Sequence, residues 1–273
     1  MSLSALQQLK ERLPLSARMP LVFLGHGSPM NIIEDNDYRT MWSELGQTLP
    51  KPKAILVVSA HWMTSGSTLV DVSEKPRTIH DFYGFPEALY QHQYPAQGEP
   101  KLAGEVASML GDFHTHTDDA WGLDHGAWAL LQSMYPNADV PVFQLSVDVT
   151  RDMQWHLAMG KVLSDLRDRG VLILGSGNIV HNLRQLRFDG QAHDWAQEFD
   201  AYFANQLHER NFTALADVNA MGSLLKMSNP TLEHYSPALT IVGASDERDK
   251  MITLAEGIDL GSVSMRSFMF YAR

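Results

Sequence analysis

Short apolar segments that end at glycine, serine or histidine alternate along the chain with longer stretches of mixed polarity. Apolar runs of roughly four to six residues that are rich in valine, isoleucine and leucine are typical of buried strands. Such runs predict strands at Leu21–Leu24, Ala54–Val58, Val140–Leu145, Val171–Leu174 and Leu239–Val242. Alternating apolar positions in Ser262–Tyr271 predict one more strand near the end of the chain.

Stretches with a helical spacing of apolar residues lie between these runs. In Gln154–Arg169, an apolar face ends in a turn that carries two arginines and is followed by Gly170, a residue type that commonly ends helices. Similar stretches predict helices at Tyr38–Leu45, Pro100–Leu110, Ala127–Met134 and Ala192–Leu207. The alternation predicts an α/β fold: a single domain with a mostly parallel central sheet flanked by helices.

The segment Asp71–Tyr94 interrupts this alternation, because it is rich in proline, glycine and aromatic residues and has no regular period. A loop of this length inside a compact domain is usually functional. The apolar runs are all shorter than the roughly 18 residues that a membrane span needs. We therefore expect no membrane partner.

The chain contains 21 lysines and arginines against 32 aspartates and glutamates, which gives a formal net charge of -11. This balance disfavours nucleic acid as a partner, since phosphate backbones attract basic surfaces. The absence of cysteine excludes disulfides, thiolate metal sites and cysteine nucleophiles, and it fits a cytoplasmic location. Any metal must be held by nitrogen and oxygen ligands, which the 12 histidines supply.

Three histidines lie at or just beyond the ends of predicted strands: His26, His61 and His181. Ligands in an open α/β sheet bind at the carboxyl ends of the strands, so these side chains are expected to converge. One histidine at a strand end is ordinary, whereas three at one edge favour a metal site. Imidazole suits zinc, iron, copper and nickel alike, so the pattern leaves the metal open.

A fourth candidate, His234, stands near a predicted helix start that Asn229 or Thr231 could cap. Glu233 precedes it directly. Neighbouring residues on a helix point about 100° apart, so we do not expect both side chains to bind one ion.

A fifth candidate, His125, follows Asp124 just ahead of a predicted helix. The aspartate is interpreted either as a helix cap or as the carboxylate that orients a general acid–base histidine. The histidines that lie in polar stretches are expected to be exposed: His92, His156, His193 and His208.

Five segments in this order together resemble the 4,5-DOPA extradiol dioxygenase family: Phe23–Met30, Val57–Trp62, Thr78–Pro86, Gly122–Gly126 and Gly177–Asn182. Any one of them alone is a weak signal, whereas the set is specific. The family belongs to the class III extradiol dioxygenases, alongside the catalytic subunit of protocatechuate 4,5-dioxygenase. The likeness runs from about Met19 to the end, which predicts an N-terminal extension of residues 1–18 and a catalytic domain of residues 19–273.

The resemblance implies that His26, His61 and His234 bind one divalent metal ion. It also places His181 at the metal, either as a ligand or as a nearby base. The protocatechuate enzyme completes its ligand set with a carboxylate, as non-haem iron enzymes commonly do. Here the matching segment offers His234 with Glu233 beside it, so the third ligand and the preferred metal stay open.

The resemblance also implies the reaction: O₂ opens a catechol ring next to its two hydroxyls, with L-DOPA cleaved at the 4,5 position to a yellow muconate semialdehyde. Fe(II) is expected for activity, whereas the sequence leaves open whether purified protein holds iron or zinc, because histidine-rich sites readily take up Zn(II). His125 and His181 would act as catalytic acid–base groups. The candidates for substrate binding are His80, Phe82, Tyr83 and Phe85, although the three aromatic residues could equally anchor the loop.

Two other functions fit a histidine cluster. A zinc-dependent hydrolase or lyase could use the same ligands, although the sequence has no HExxH helix. A non-enzymatic, chelatase-like metal binder would not need a group such as His125. Only the dioxygenase would consume O₂ while turning catechols yellow.

Overall fold

A central sheet of eight strands organises residues 18–272, the part of the chain that the computed structural model describes. Its strands are β1 (Leu21–Gly25), β2 (Ala54–Thr64), β3 (Thr68–Asp71), β4 (Thr115–Asp118), β5 (Val142–Asp148), β6 (Val171–Gly177), β7 (Lys250–Ala255) and β10 (Ser267–Tyr271). The spatial order is β4-β3-β5-β2-β6-β1-β10-β7. Two short strands, β8 (Ile258–Asp259) and β9 (Val263–Ser264), pair with each other outside this sheet.

The four central strands, β5, β2, β6 and β1, run parallel to one another. On one side, β10 is antiparallel to β1 and β7 is antiparallel to β10. On the other side, β3 is antiparallel to β5 and β4 is parallel to β3. The predicted mostly parallel sheet is therefore confirmed, with antiparallel pairs confined to its two flanks.

The α-helices of the described chain pack mainly on the two faces of this sheet. They are α1 (Asp37–Thr48), α2 (Glu87–Tyr90), α3 (Pro100–Met109), α4 (His125–Met134), α5 (Met153–Leu163), α6 (Asp194–His208), α7 (Phe212–Ala216), α8 (Val218–Ser228) and α9 (Ser236–Gly243). On β1, Leu21 and Phe23 enter the core that α3, α5, α6 and α9 cover, whereas Val22 and Leu24 enter the core that α1 and α4 cover. Strands buried on both faces explain the continuous apolar runs in the sequence.

The predicted strand at Leu239–Val242 is wrong, because these residues belong to helix α9. Pro237 occupies the first turn of this helix, where its missing N–H group costs nothing. All residues from Ser236 to Val242 are buried, so the helix has no exposed face whose run of polar residues would reveal a helical period. A short apolar run cannot be assigned to strand or helix by periodicity alone.

The single strand predicted within Ser262–Tyr271 is divided into β9 and β10, which belong to different sheets. The other predicted elements are present with shifted ends. The predicted helix Gln154–Arg169 is α5 followed by a 3₁₀ helix, Ser164–Arg169, which ends at Gly170 in the left-handed conformation. The expected exposure of His156 is wrong: it is 1% exposed and lies on the inner face of α5. His208 is exposed as predicted, and His92 and His193 are half-buried.

The predicted N-terminal extension, residues 1–18, lies outside the described residues apart from Arg18. Between residues 18 and 272, no helix combines the length and the apolar character needed to cross a membrane.

Candidate active site

Three histidines predicted as metal ligands meet at the carboxyl edge of the sheet. His26 follows β1, His61 lies in the last part of β2, and His234 precedes α9. Their ring centroids are 4.9 Å apart for His26 and His61, 5.3 Å for His26 and His234, and 5.0 Å for His61 and His234. The sheet order explains the meeting, because only β6 separates β1 from β2. We call these three residues the histidine trio.

One ring nitrogen from each member of the trio lies within 4.8 Å of the other two. The Nε2 atoms of His26 and His61 are 3.1 Å apart. Two nitrogens that bind the same ion at about 2.0–2.1 Å would lie roughly 2.9–3.4 Å apart, depending on the coordination angle. The pair is therefore spaced as two ligands of a single ion would be.

Hydrogen bonding determines which nitrogen of His26 carries the proton. Its Nδ1 lies 2.9 Å from Ser176 Oγ, and the Ser176 hydroxyl donates to the Gly126 carbonyl oxygen at 2.6 Å. Because that hydroxyl hydrogen is already committed, Ser176 Oγ accepts from His26 Nδ1–H. The lone pair of His26 is thereby left on Nε2, which faces His61.

A carboxylate fixes His61 in a comparable way. Asp81 Oδ2 lies 3.2 Å from His61 Nδ1, which favours the proton on Nδ1 and the lone pair on Nε2. The strand itself is irregular here, since the register of β2 against β5 shifts between Val58 and Met63. Such a bulge redirects side chains. The prediction that the strand ends before His61 is wrong, because β2 continues to Thr64.

His234 reaches the trio from a turn and not from a helix start. The helix expected to be capped by Asn229 or Thr231 begins only at Ser236, and Asn229 instead follows the end of α8. Glu233 Oε1 lies 3.2 Å from His234 Nδ1, while His234 Nε2 is buried without a hydrogen-bond partner. An orphaned buried nitrogen is costly unless a ligand or ion satisfies it.

A glycine allows His234 to approach the sheet. A Cβ atom at Gly177, the last residue of β6, would lie 2.1 Å from the His234 carbonyl oxygen. That distance is too short for any other residue type. The same carbonyl accepts the Asn178 backbone N–H at 3.0 Å, which ties the turn to the end of the strand.

The trio is neutral at physiological pH. Burial lowers the pKa of His26, His61 and His234 well below 6.5, and neighbouring imidazoles lower it further, although Asp81 opposes this at His61. Neutral imidazole is the form that binds metals. Three neutral imidazoles with converging nitrogens, one of them without a partner, therefore fit a divalent metal ion.

His181 stacks on His234, with ring centroids 3.4 Å apart and planes inclined by 8°. Its backbone N–H donates to the Ser228 carbonyl oxygen, and it forms a bridge with Val263. Burial lowers the pKa of His181 to about 4, with a further contribution from His125. Because an imidazole lone pair lies in the ring plane, the lone pairs of two parallel stacked rings lie in two separate parallel planes and do not meet at one point.

His125 begins α4 beside the trio, with its ring centroid 3.9 Å from that of His61. Its orienting carboxylate is Asp81 and not the neighbouring Asp124. Asp81 Oδ2 accepts from His125 Nδ1 at 2.9 Å, and Asp81 Oδ1 accepts the His125 backbone N–H at 2.8 Å. Burial raises the pKa of Asp81, but the hydrogen bonds and charges of His125 and His61 outweigh it and lower the value to about 2.

Asp124 serves as the N-cap of α4, the other interpretation that the sequence allowed. It accepts the Ala127 N–H at 3.2 Å, and it is fully buried with hydrogen bonds from Ser59 at 2.6 Å and Gln144 at 2.8 Å. Burial raises the pKa of this carboxyl group, and the nearby charge of Asp81 raises it further. Asp124 therefore fixes the start of the helix beneath the site.

The predicted substrate residues lie on the loop that also carries Asp81. The Phe82 ring is 5.5 Å from His125 and 5.4 Å from Phe85, all measured between centroids. His80 is held inside the loop, where its Nε2 lies 2.9 Å from the His92 carbonyl oxygen. Tyr83 is 92% exposed. Phe82 is therefore the aromatic candidate placed directly beside His125.

Sequence reasoning missed Asp81. Its signal was present, since a carboxylate inside a functional loop next to candidate substrate residues is itself a candidate. Its partner could not be found from the sequence, because 44 residues separate Asp81 from His125.

Converging neutral histidines at the carboxyl edge of an α/β sheet are typical of metal-dependent enzymes, and His125 lies beside them here. A family model described as the catalytic LigB subunit of aromatic ring-opening dioxygenase matches residues 20–260. The chain belongs to this family, and it is an extradiol ring-cleavage dioxygenase.

Individual relatives agree with this assignment. The "4,5-DOPA dioxygenase extradiol" of Escherichia coli K12 is 47% identical over 266 residues, which covers 95% of this chain and 97% of that protein. The Beta vulgaris protein of the same name is 38% identical, over 91% of this chain and 95% of its own length. A crystal structure of an uncharacterized Escherichia coli K12 protein aligns with a TM-score of 0.80 and 41% identity, covering 93% of this chain and 100% of that one.

Proposed function

We propose that this protein cleaves L-DOPA at the 4,5 position with O₂, giving a muconate semialdehyde, at one divalent metal ion held by His26, His61 and His234. The observation that carries the proposal is the trio itself: three neutral imidazoles whose ring nitrogens lie within 4.8 Å of one another. The substrate is inferred from relatives that are named for DOPA and match over most of this chain.

Fe(II) is the metal proposed for activity, and Zn(II) is an alternative occupant of the site in purified protein. Imidazole ligands accept both. When bound, the ion would act as a Lewis acid toward the two catechol oxygens and as a path for electrons between the ring and O₂. Glu233 has the role of orienting His234 by its contact with Nδ1, since ligand histidines commonly bond a carboxylate through the other nitrogen.

His125 is the proposed proton acceptor for a catechol hydroxyl. Its Nδ1–H is held by Asp81, which leaves the Nε2 lone pair free to take a proton and later return it to a reaction oxygen. A positioned acid–base group of this kind contributes about 10²–10⁴-fold to the rate.

His181 is proposed as a second acid–base group beside the ion and not as a fourth ligand. Its ring lies parallel to that of His234, so the two lone pairs do not converge. The lowered pKa of about 4 keeps the imidazole neutral and able to accept a proton.

The substrate ring is proposed to lie against Phe82, the loop aromatic next to His125. Phe85 and Tyr90 pack against Phe82 and hold it in place. Offset or edge-to-face contact between aromatic rings contributes about 0.5–1.5 kcal/mol beyond area burial.

We also propose that residues 19–273 form the catalytic domain, that the enzyme works in the cytoplasm and that it has no nucleic-acid partner.

The test is O₂ uptake by the Fe(II)-reconstituted protein over a panel of L-DOPA, dopamine, caffeate, protocatechuate and catechol. We expect one O₂ to be consumed per ring opened, a yellow product, and the highest kcat/KM for L-DOPA. A higher kcat/KM for another catechol would overturn the substrate but not the reaction. Absence of O₂ uptake with the whole panel, combined with Zn(II)-dependent hydrolysis, would favour the alternative zinc hydrolase.

A further inference from the structure

We infer that Asp81 is a positioning residue that sets the proton positions of two histidines at once: the metal ligand His61 and the acid–base group His125. This inference rests on the proposed roles of those two histidines. Asp81 Oδ2 lies 2.9 Å from His125 Nδ1 and 3.2 Å from His61 Nδ1. The contact with His125 is a hydrogen bond, whereas the contact with His61 is a close approach of charge without hydrogen-bond geometry. Because a carboxylate oxygen is negatively charged and only accepts hydrogen bonds, both contacts favour a proton on Nδ1.

The second oxygen of Asp81 has a separate task. Oδ1 accepts the backbone N–H of His125 at 2.8 Å, which satisfies an otherwise unpaired donor in the first turn of α4. The carboxylate therefore fixes both the start of the helix and the ring that the helix presents. Its side chain is only 16% exposed, so water competes little for these contacts.

The loop is attached firmly enough to hold Asp81 in this position. Thr78 forms a parallel bridge with Leu123, and the Ile79 N–H donates to the Leu123 carbonyl oxygen at 2.7 Å. The Trp128 indole N–H, one turn into α4, donates to the Ile79 carbonyl oxygen at 2.8 Å. The residues before Asp81 are thus fastened to the residues on both sides of His125.

The amide of asparagine cannot accept both the backbone N–H of His125 and the Nδ1–H groups of the two histidines. If the Asn oxygen takes the place of Oδ1, its NH₂ group faces the two Nδ1 atoms and requires both protons to move to Nε2. If the oxygen takes the place of Oδ2, the NH₂ group faces the His125 backbone N–H, donor against donor. Asp81→Asn is therefore nearly identical in shape but wrong in hydrogen bonding.

The experiment compares wild type with Asp81→Asn and with Asp152→Asn. Asp152 is a matched control, because it caps the start of α5 by accepting the Trp155 N–H at 2.9 Å, a task that asparagine also performs. For Asp81→Asn we expect kcat to fall about 10²–10⁴-fold at saturating Fe(II) with KM little changed. Metal affinity should weaken roughly 10–100-fold, as expected when a partner of a ligand histidine is removed. Asp152→Asn should match wild type in kcat, in KM and in metal affinity.

A readout independent of turnover is the tautomer of His125 and His61, measured by two-dimensional ¹⁵N NMR of the Zn(II)-loaded protein. Wild type should show His125 protonated on Nδ1, and Asp81→Asn should shift that proton to Nε2 or mix the two forms. A variant with unchanged tautomers and unchanged kcat would overturn the inference.

Metal stoichiometry separates positioning from direct coordination, since Asp81, His61 and His125 also lie close enough together to hold an ion. Two ions per wild-type chain, with one lost in Asp81→Asn, would overturn the positioning role and make Asp81 a ligand. A wild type that opens no catechol ring but shows the expected tautomers would refute the proposed function and leave the hydrogen-bonding role of Asp81 intact.

Discussion

The histidine trio and the loop Asp71–Tyr94 face the same site but are built in opposite ways. The trio stands at the edge of the sheet, with His26 4% and His234 5% exposed and each ring held by a hydroxyl or carboxylate. The loop contains one short helix, α2, and carries Tyr83 at 92% exposure. A rigid sheet edge suits chemistry that needs fixed geometry, whereas an irregular loop can change its side chains without disturbing the core.

Asp81 is where the two regions meet, because it belongs to the loop and contacts both His61 of the sheet edge and His125. A loop that only recognised substrate would not place a carboxylate 3.2 Å from a proposed metal ligand. The comparison therefore predicts that substitutions on the sheet side affect metal binding and rate, and that substitutions on the loop affect mainly substrate affinity, except at Asp81.

The largest effect is expected from His234→Ala. Removing one of three ligands should lower metal affinity by more than the roughly 10–100-fold typical of losing a supporting hydrogen bond, and it should abolish ring opening. Metal content after dialysis and O₂ uptake are the measurements, with the exposed His208→Ala on α6 as control. Unchanged metal affinity would transfer the ligand role to His181 or Glu233, which lie in a second group with His234.

A smaller effect is expected from His125→Ala, which removes a proton carrier but no ligand. Metal content should stay at the wild-type value while kcat falls about 10²–10⁴-fold. Loss of the metal would make His125 a ligand. Full activity would remove it from proton transfer and leave His181 as the proposed base.

The loop side of the comparison is tested by Phe82→Leu. Loss of a ring–ring contact of about 0.5–1.5 kcal/mol should raise KM for L-DOPA roughly 2–10-fold with kcat nearly unchanged. Tyr83→Leu should have the smaller effect, and Phe188→Leu, an aromatic residue 83% exposed outside this loop, serves as control. An equal rise in KM for Tyr83→Leu would mean that the exposed tip of the loop also contacts the substrate. That result would contradict the placement of Phe82 as the main aromatic contact.

The apolar pattern predicted His26 and His61 because both follow the ends of predicted strands, whereas His234 lies in a turn and its ligand role was implied only by the family resemblance. An apolar run that stops at Gly-His-Gly marks both the end of β1 and the side chain at its edge, and parallel strands bring such ends together. The strands β3, β4 and β7 were not predicted, since none of them forms a continuous apolar run: β3 is short and has a polar residue at each end, and β4 and β7 are only partly buried. The apolar run Leu239–Val242 is typical of a strand because the helix α9 that contains it has no exposed face.

The carboxylate partner of His125 could not be predicted for a different reason. Asp124 is adjacent in sequence, but it points into the interior toward Ser59 and Gln144. Asp81 reaches His125 only because Thr78 and Ile79 pair with Leu123, a contact that depends on the path of an irregular loop. Side-chain partners that depend on loop path leave no periodic signal in the sequence.

The smallest effect concerns acid stability and extends the comparison to a buried histidine outside the trio. Burial lowers the pKa of His156 to about 4, and both of its ring nitrogens are without hydrogen-bond partners. Between pH 6.5 and pH 4 the unfolded chain binds a proton at this position and the folded chain does not, so stability falls as the pH falls through that window. The trio histidines and His181 of the metal-free protein act in the same direction.

Replacing His156 by leucine removes one such group. The loss of stability from pH 6.5 to pH 4 should therefore become shallower by up to about 1.4 kcal/mol per pH unit. Urea unfolding of the metal-free wild type and His156→Leu at several pH values measures this difference directly. Parallel pH dependences for the two proteins would show that His156 takes up its proton in the folded state as readily as in the unfolded chain.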